Sequence, residues 1–284
     1  MKIVLFLSMV LSQVVASDFI EIYSAYTNSK RVVVEGRVID IKDKKDESSK
    51  LIGAFFNDEK KNIEIFLNIN QQKYSVKTDK EGYFLFDLKN LSSLSEKQVI
   101  KLETDDKSSL ESIILFQPNS QAKIGVISDF DDTVIISNVT EKTKLLYDTF
   151  FKNYKERDVI SSVEVLIKET LRVNNSNVLF FITGSPSQLQ NSIHLFLNFH
   201  NFPNRVVLTK KLHGSNKDSL FSSVAYKYEK IVNLIEMYPH IKWVFFGDSG
   251  EKDQEIYLKI RKNYPNKIEK IYIRSVKTKK VSKI

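Results

Sequence analysis

A chain of 284 residues, 42% hydrophobic and 27% charged, can bury one large core or two modest ones, which excludes a disordered or fibrous protein. Its net charge of +8 favours anionic partners, and phosphate esters, acidic lipid surfaces and nucleic acid are all compatible with it. The sequence has no cysteine, which excludes thiolate metal sites and lipid attachment through a cysteine.

The chain opens with Met1-Lys2, an apolar stretch from Ile3 to Val15, and the small residues Ala16 and Ser17. This charged, apolar, small order predicts a signal peptide over 1–17 and export to the periplasm or outside the cell. The stretch is short for a membrane-spanning helix, and an uncleaved anchor is the alternative. Residues 18–120 predict a small antiparallel β-sandwich. Short β-rich runs at 31–39, 63–69, 73–77 and 83–88 are separated by charged or turn-like pieces at 42–50, 57–62 and 78–82. Thr78 to Phe84 resembles the Thr-Asp-x-x-Gly-x-Phe hairpin of transthyretin-like sandwiches, a class used for interaction or positioning.

Gln117-Pro118-Asn119-Ser120 is the expected junction, after which the period changes. Over 121–276, apolar runs at 124–128, 178–182, 205–208, 243–246 and 270–273 alternate with helical stretches at 159–171, 188–199, 226–237 and 253–263, and Leu145, Leu146 and Phe150 mark a further one. The alternation predicts an α/β domain, a doubly wound parallel sheet with helices on both faces. Roughly 45 residues separate Val134 from Val178, room for a short helical insert and not for a large folded cap. The basic end, 277–284, reads as a frayed, solvated tail.

Three of the apolar runs end in chemistry-bearing residues. The first ends in Asp129-Phe130-Asp131-Asp132-Thr133. Carboxylates two apart on an extended segment project to one side, so one can attack phosphorus while the other handles the leaving-group proton. The second ends in Thr183-Gly184-Ser185-Pro186, a hydroxyl followed by a Ser-Pro helix start whose N–H groups suit phosphate oxygens. The third ends in Gly247-Asp248, with Asp253 five residues later. Lys227 lies near the start of the helical stretch between the last two.

These four ordered elements resemble the signature of the haloacid dehalogenase (HAD) superfamily of aspartate-nucleophile phosphatases. The wording of 126–134 and 247–257 is similar to the catalytic domain of the actin-patch phosphatidate phosphatase family and its bacterial relatives. The likeness is strong over 122–276 and weak before it. It implies a Mg²⁺-dependent phosphomonoester hydrolase, phosphatidate phosphatase-like, with Asp129 as nucleophile, Asp131 as general acid and base, and Thr183 and Lys227 completing the catalytic set. Thr133, Gly184 and Ser185 are assigned to the phosphate oxygens, with Thr133 also expected to cap the turn after Asp131, and Asp132 to support it. The implied metal set is Asp129, the main-chain carbonyl of Asp131, Asp248 and Asp253, the last ordering its loop or a water. Mg²⁺ suits such hard oxygens.

Two other readings stay open: an exported phosphatase for soluble nucleotides or sugar phosphates, and a binding protein on a HAD scaffold without turnover. No nucleic-acid partner is expected, because no base-stacking platform is visible. Peripheral association with membrane phospholipid would use Lys210, Lys211 and Lys217, with Leu220 and Phe221 as the apolar pair nearby. Of the histidines, His213 is the candidate for touching substrate, while His194 and His200 belong to a helix.

Overall fold

A computed structural model describes residues 18–40, 60–92, 94–107, 109–136, 154–211 and 224–284. The expected signal segment 1–17 lies outside them, as do Leu145, Leu146, Phe150, His213, Lys217, Leu220 and Phe221.

The first part is antiparallel β structure in two sheets. Strands β1 (Asp18–Thr27), β2 (Val32–Asp40) and β5 (Tyr83–Leu88) form one sheet in the order β1-β2-β5. Strands β3 (Glu64–Ile69), β4 (Gln72–Lys77), β6 (Val99–Thr104) and β7 (Leu110–Ile114) form the other in the order β4-β3-β6-β7. Alternate residues such as Ile65, Leu67, Ile100 and Leu102 face Val32, Val34, Phe84 and Phe86 in a core between the sheets. Three strands escape the sequence pattern: β1, β6 and β7. In β7 no residue is buried, so it carries little alternation to read.

The segment from Thr78 to Phe84 is not a hairpin, because β4 and β5 belong to different sheets. It is a turn that carries the chain across. Asp79 Oδ1 accepts the N–H groups of Glu81 and Tyr83, and Gly82 takes φ +78°, a left-handed conformation that a side chain would strain.

The second part is the predicted α/β unit. Strands β8 (Ile124–Ser128), β9 (Leu179–Pro186), β10 (Val206–Lys210), β11 (Lys242–Asp248), β12 (Ile268–Arg274) and β13 (Val281–Lys283) form a sheet in the order β10-β9-β8-β11-β12-β13. All pairings are parallel except the last. Between the strands run α1 (Ser161–Val173), α2 (Gln190–Phe199), α3 (Val224–Met237) and α4 (Asp253–Asn263).

Successive strand residues sort to opposite faces. Val126, Leu179, Phe181, Val244 and Phe246 pack with Val163 and Ile167 of α1 and with Ile193 and Phe196 of α2. Ile127, Phe180, Ile182, Trp243 and Phe245 pack with Ile231 and Leu234 of α3 and with Ile256 and Ile260 of α4. Runs apolar at every position are what a sheet covered on both sides requires. Strand order reverses between β8 and β11, and in open α/β sheets the crevice at such a switch, beyond the carboxyl ends of the strands, is where ligands bind.

The β-sandwich shares the second of these faces. Tyr26, Val33 and Phe116 are buried in one core with Phe180, Tyr238 and Trp243, and the Tyr26 and Phe116 rings meet Phe180 edge-on. Lys230 of α3 pairs with Glu35 of β2 at 2.5 Å, and Asn28 Nδ2 donates to the Met237 carbonyl at 2.8 Å.

Two further expectations are corrected. The basic end is no frayed tail, because Val281–Lys283 pairs antiparallel with β12, and Ser275 N–H donates to Lys280 O to close the turn. Pairing covers an edge of β12 that would otherwise present bare N–H and C=O groups. The helix start placed at Ser185-Pro186 also moves. Pro186 stays extended and pairs in register with Lys210, a single 3-10 turn follows at Ser187–Leu189, and α2 begins at Gln190.

Candidate active site

Asp129 directly follows β8, the strand at the switch, and is 1% exposed. Its Oδ1 accepts from Lys227 Nζ at 2.8 Å, and its Oδ2 accepts from Thr133 Oγ1 at 3.3 Å. Thr133 therefore touches the carboxylate of Asp129 itself, a contact beyond the turn-capping expected of it.

Lys227 projects from the first turn of α3 and is 1% exposed. Its ammonium also donates to Asp253 Oδ1 and Glu251 Oε2, each at 2.7 Å. Lys230, one turn further along α3, is committed to Glu35. Burial by itself would lower the Lys227 pKa, but Asp129, Asp253 and Glu251 together push it well above the ordinary lysine value.

Asp253 opens α4 and holds two things at once. Its Oδ1 takes Lys227, and its Oδ2 accepts the N–H of Asp248 at 3.2 Å. Asp248 ends β11, and its Oδ1 accepts the N–H groups of Gly250 and Glu251. Asp253 approaches so closely because residue 247 is glycine. A Cβ on Gly247 would sit 2.6 Å from Asp253 Cβ and 2.7 Å from the Tyr257 ring. Gly247→Ala is therefore expected to cost about 1–3 kcal/mol, read as a lowered Tm, with loss of activity. An unchanged Tm would show that the loop has slack.

Asp131 lies two residues beyond Asp129 and accepts from Ser185 Oγ at 2.6 Å and Thr183 Oγ1 at 3.0 Å, both through Oδ2. Burial raises its pKa, Glu251 adds to this, and the two hydroxyls and Arg157 oppose it. Thr183 and Ser185 are thus turned towards Asp131. The Ser185 N–H, assigned from sequence to a phosphate oxygen, instead donates to Thr183 Oγ1 at 3.0 Å. It does so because the chain stays extended through Pro186, so that the α-helix starts only at Gln190 and offers no N-terminus at Ser185. Gly184 sits between them, half-buried. The segment that follows is tied to the sandwich: Gln188 Nε2 donates to Tyr83 Oη and Gln190 Nε2 to the Tyr23 carbonyl.

Charge in the site is unbalanced. Three carboxylates, Asp129, Glu251 and Asp253, share the ammonium of Lys227, and a fourth, Asp248, lies within electrostatic reach of Asp129. Burial followed by Asp253 pushes Asp248 up to about 7, and burial raises Asp129 well above the carboxylate range despite Lys227. Asp129, Glu251 and Asp253 bring ligand oxygens within 4.8 Å of one another, close enough to hold a metal ion, although Lys227 already donates to one oxygen of each. Asp248 Oδ2 is buried with no hydrogen-bond partner among the described residues, an acceptor left over where a cation would satisfy it. The donors are all hard oxygens and fit a divalent cation such as Mg²⁺.

Three residues near the site had been given no role from sequence. Glu251 shares Lys227 with the two aspartates. Arg157, in the segment before α1, lies within electrostatic reach of Asp131 and Asp132. Arg274, at the end of β12, donates through Nη1 to the Asp132 carbonyl at 2.6 Å. A signal existed for Arg274, a charged residue that directly follows the strand-like run at 270–273. Of the other polar candidates, His194 is half-buried in α2, where burial and Arg205 lower its pKa to about 4, and Lys211 lies 5.2 Å from the centre of the Tyr83 ring.

The sequence can now be set beside known proteins. A yeast protein, "Phosphatidate phosphatase APP1" of Saccharomyces cerevisiae, is 31% identical over 152 residues, which are 53% of this chain and 26% of that protein. "Uncharacterized protein C29B5.04c" of Schizosaccharomyces pombe is 25% identical over 215 residues, 72% of this chain and 35% of that protein. The chain thus spans 26% to 35% of the length of the curated relatives it matches. Among solved structures, a carbohydrate acetylesterase from Xanthomonas citri aligns with a TM-score of 0.30 at 8% identity, over 90% of this chain and 68% of that one. The family model described as "Phosphatidate phosphatase APP1, catalytic domain" matches residues 124–275, the whole region that holds Asp129, Asp131, Lys227 and Asp248, and the chain belongs to that family.

Proposed function

We propose that this chain hydrolyses phosphomonoesters, with phosphatidate as its substrate, through an aspartyl phosphate formed on Asp129. The observation that carries the reading is the buried carboxylate of Asp129 at the switch point, held by Lys227 and Thr133, with a second carboxylate, Asp131, two residues on. An Asp129 oxygen attacks phosphorus as the phosphorus–oxygen ester bond breaks. The leaving alkoxide takes a proton from Asp131, which Ser185 and Thr183 hold in place. Water then attacks the acyl phosphate and gives a proton to Asp131, and inorganic phosphate departs. Lys227 offsets the negative charge gathered at Asp129 and on the transferring group. Mg²⁺, held by Asp129, Asp248 and the Asp131 carbonyl, would neutralise the repulsion between carboxylate and phosphate.

The test is phosphate release from phosphatidate in mixed micelles, nucleotides, sugar phosphates and an aryl phosphate, each with Mg²⁺ and with EDTA. Release from phosphatidate that EDTA abolishes is expected. Asp248→Ala should lose both this activation and the rise in Tm that Mg²⁺ confers on the wild type. Release indifferent to EDTA would remove the metal from the reading. Release from soluble esters alone would replace the lipid by a soluble substrate, and no release from any ester would end the hydrolase assignment.

A further inference from the structure

Arg274 is a buried cation that the reaction above does not use. It is 2% exposed, and its Nε is buried with no hydrogen-bond partner among the described residues, a state that costs stability. Stability alone would favour an apolar residue at the end of this strand. Its Nη1 nevertheless reaches across the sheet end to the carbonyl of Asp132 at 2.6 Å.

Asp132 is an unusual place to hold. It has φ +52°, the left-handed region that non-glycine residues occupy at a cost. Its two neighbours carry the side chains of the site. Asp131 accepts from Ser185 and Thr183, and Thr133 donates to Asp129. The turn is closed below by the N–H groups of Val134 and Ile135, both donating to the Phe130 carbonyl. The peptide of Asp132 therefore sets the direction of both neighbours.

The main chain of Arg274 meets the other half of the site. Its carbonyl accepts the N–H of Ser249 at 2.9 Å, next to Asp248, and in register it pairs with Asp248 on one side and Val281 on the other. The β12–β13 hairpin adds Val276 N–H donating to Ser249 Oγ. One residue thus joins the loop of Asp131 by its side chain and the loop of Asp248 by its backbone.

We infer that Arg274 is a positioning residue, which holds the left-handed turn at Asp132 so that Asp131 and Thr133 face Asp129 at a set distance from Asp248. The kinetic part of this inference rests on the proposed reaction. The part concerning the turn does not.

The experiment compares the full chain with Arg274→Gln and Arg274→Lys. Amide hydrogen exchange is followed at Val134 and Ile135, with Ser249 and the β9 amides as controls, and kcat and KM are measured on an alkyl and an aryl phosphomonoester. In Arg274→Gln, exchange at Val134 and Ile135 should quicken at least about tenfold while the controls hold, because only the turn has lost its anchor. The kcat on the alkyl ester should fall by about 100-fold with KM within about twofold, since the reacting groups are misplaced and not lost. Arg274→Lys, whose charged donor reaches further towards the Asp132 carbonyl than the shorter Gln amide, should recover part of both.

Unchanged exchange at Val134 and Ile135 would overturn the inference. So would equal quickening at Ser249 and across β9, which would reveal general destabilisation. A wild type that releases no phosphate, with the exchange result as expected, would overturn the proposed reaction and leave the role of Arg274 standing.

Discussion

Asp129→Asn is expected to abolish phosphate release, by at least about 10³-fold, without unfolding the chain. An amide cannot form the acyl phosphate, so neither step has a route through residue 129. The structure adds a consequence for stability. Asp129, Asp253 and Glu251 share one ammonium, with Asp248 beside them, and burial already raises Asp129 well above the ordinary carboxylate range. Removing one negative charge relieves that crowding, so the variant should melt at or above the wild-type Tm, as is common where a strained site serves activity. Turnover within tenfold of wild type would show that another group attacks phosphorus. A variant that fails to fold would show that Asp129 holds the core as well as the site.

Lys227→Met is expected to cost about 3–5 kcal/mol of stability together with the activity, because it leaves buried carboxylates without their cation. The side chain is 1% exposed, Asp129 is equally buried, and Asp253 is fully enclosed, so water cannot replace the ammonium. Lys230→Met is the matched control. It sits one turn away, its partner Glu35 lies in the sandwich, and the pair retains some exposure, so its loss should be smaller. Denaturant unfolding of both variants decides the point. A Lys227→Met chain within about 1 kcal/mol of wild type would mean that the carboxylates are protonated and the ammonium is not their counter-ion.

The elements of the α/β half were legible because a sheet covered on both faces needs continuous apolar runs, and helices between them need a 3.6-residue period. The helix at 253–263 and the runs at 124–128 and 243–246 were visible in this way. Strands β1, β6 and β7 were not. The strands β6 and β7 are half-exposed and mix apolar with polar residues, and the largely buried β1 has its run broken by Glu21, Ser24 and Thr27, so tertiary pairing settles which of these residues are strand. The Ser-Pro pair misled for a similar reason. Proline at the start of a helix and proline at the end of a strand look alike in sequence, and pairing with Lys210 is what chose between them.

The sequence by itself determined the nature of the chemistry: carboxylates at strand ends, a lysine at the head of a helix, glycine before Asp248. These are local facts, set by residue type and by spacings of a few positions. The tertiary structure alone decided which groups meet. Lys227 reaches Asp129 across 98 residues, Ser185 reaches Asp131 across 54, and Arg274 reaches the Asp132 carbonyl across 142. No local pattern encodes such pairs, because they depend on the order of strands in the sheet and on the face each helix takes. The same holds for the sandwich, whose Tyr26 and Phe116 close over Phe180 only because β1 and the residues after β7 lie against that face. It holds too for the basic C-terminal segment, which became a strand because the edge of β12 stood open beside it.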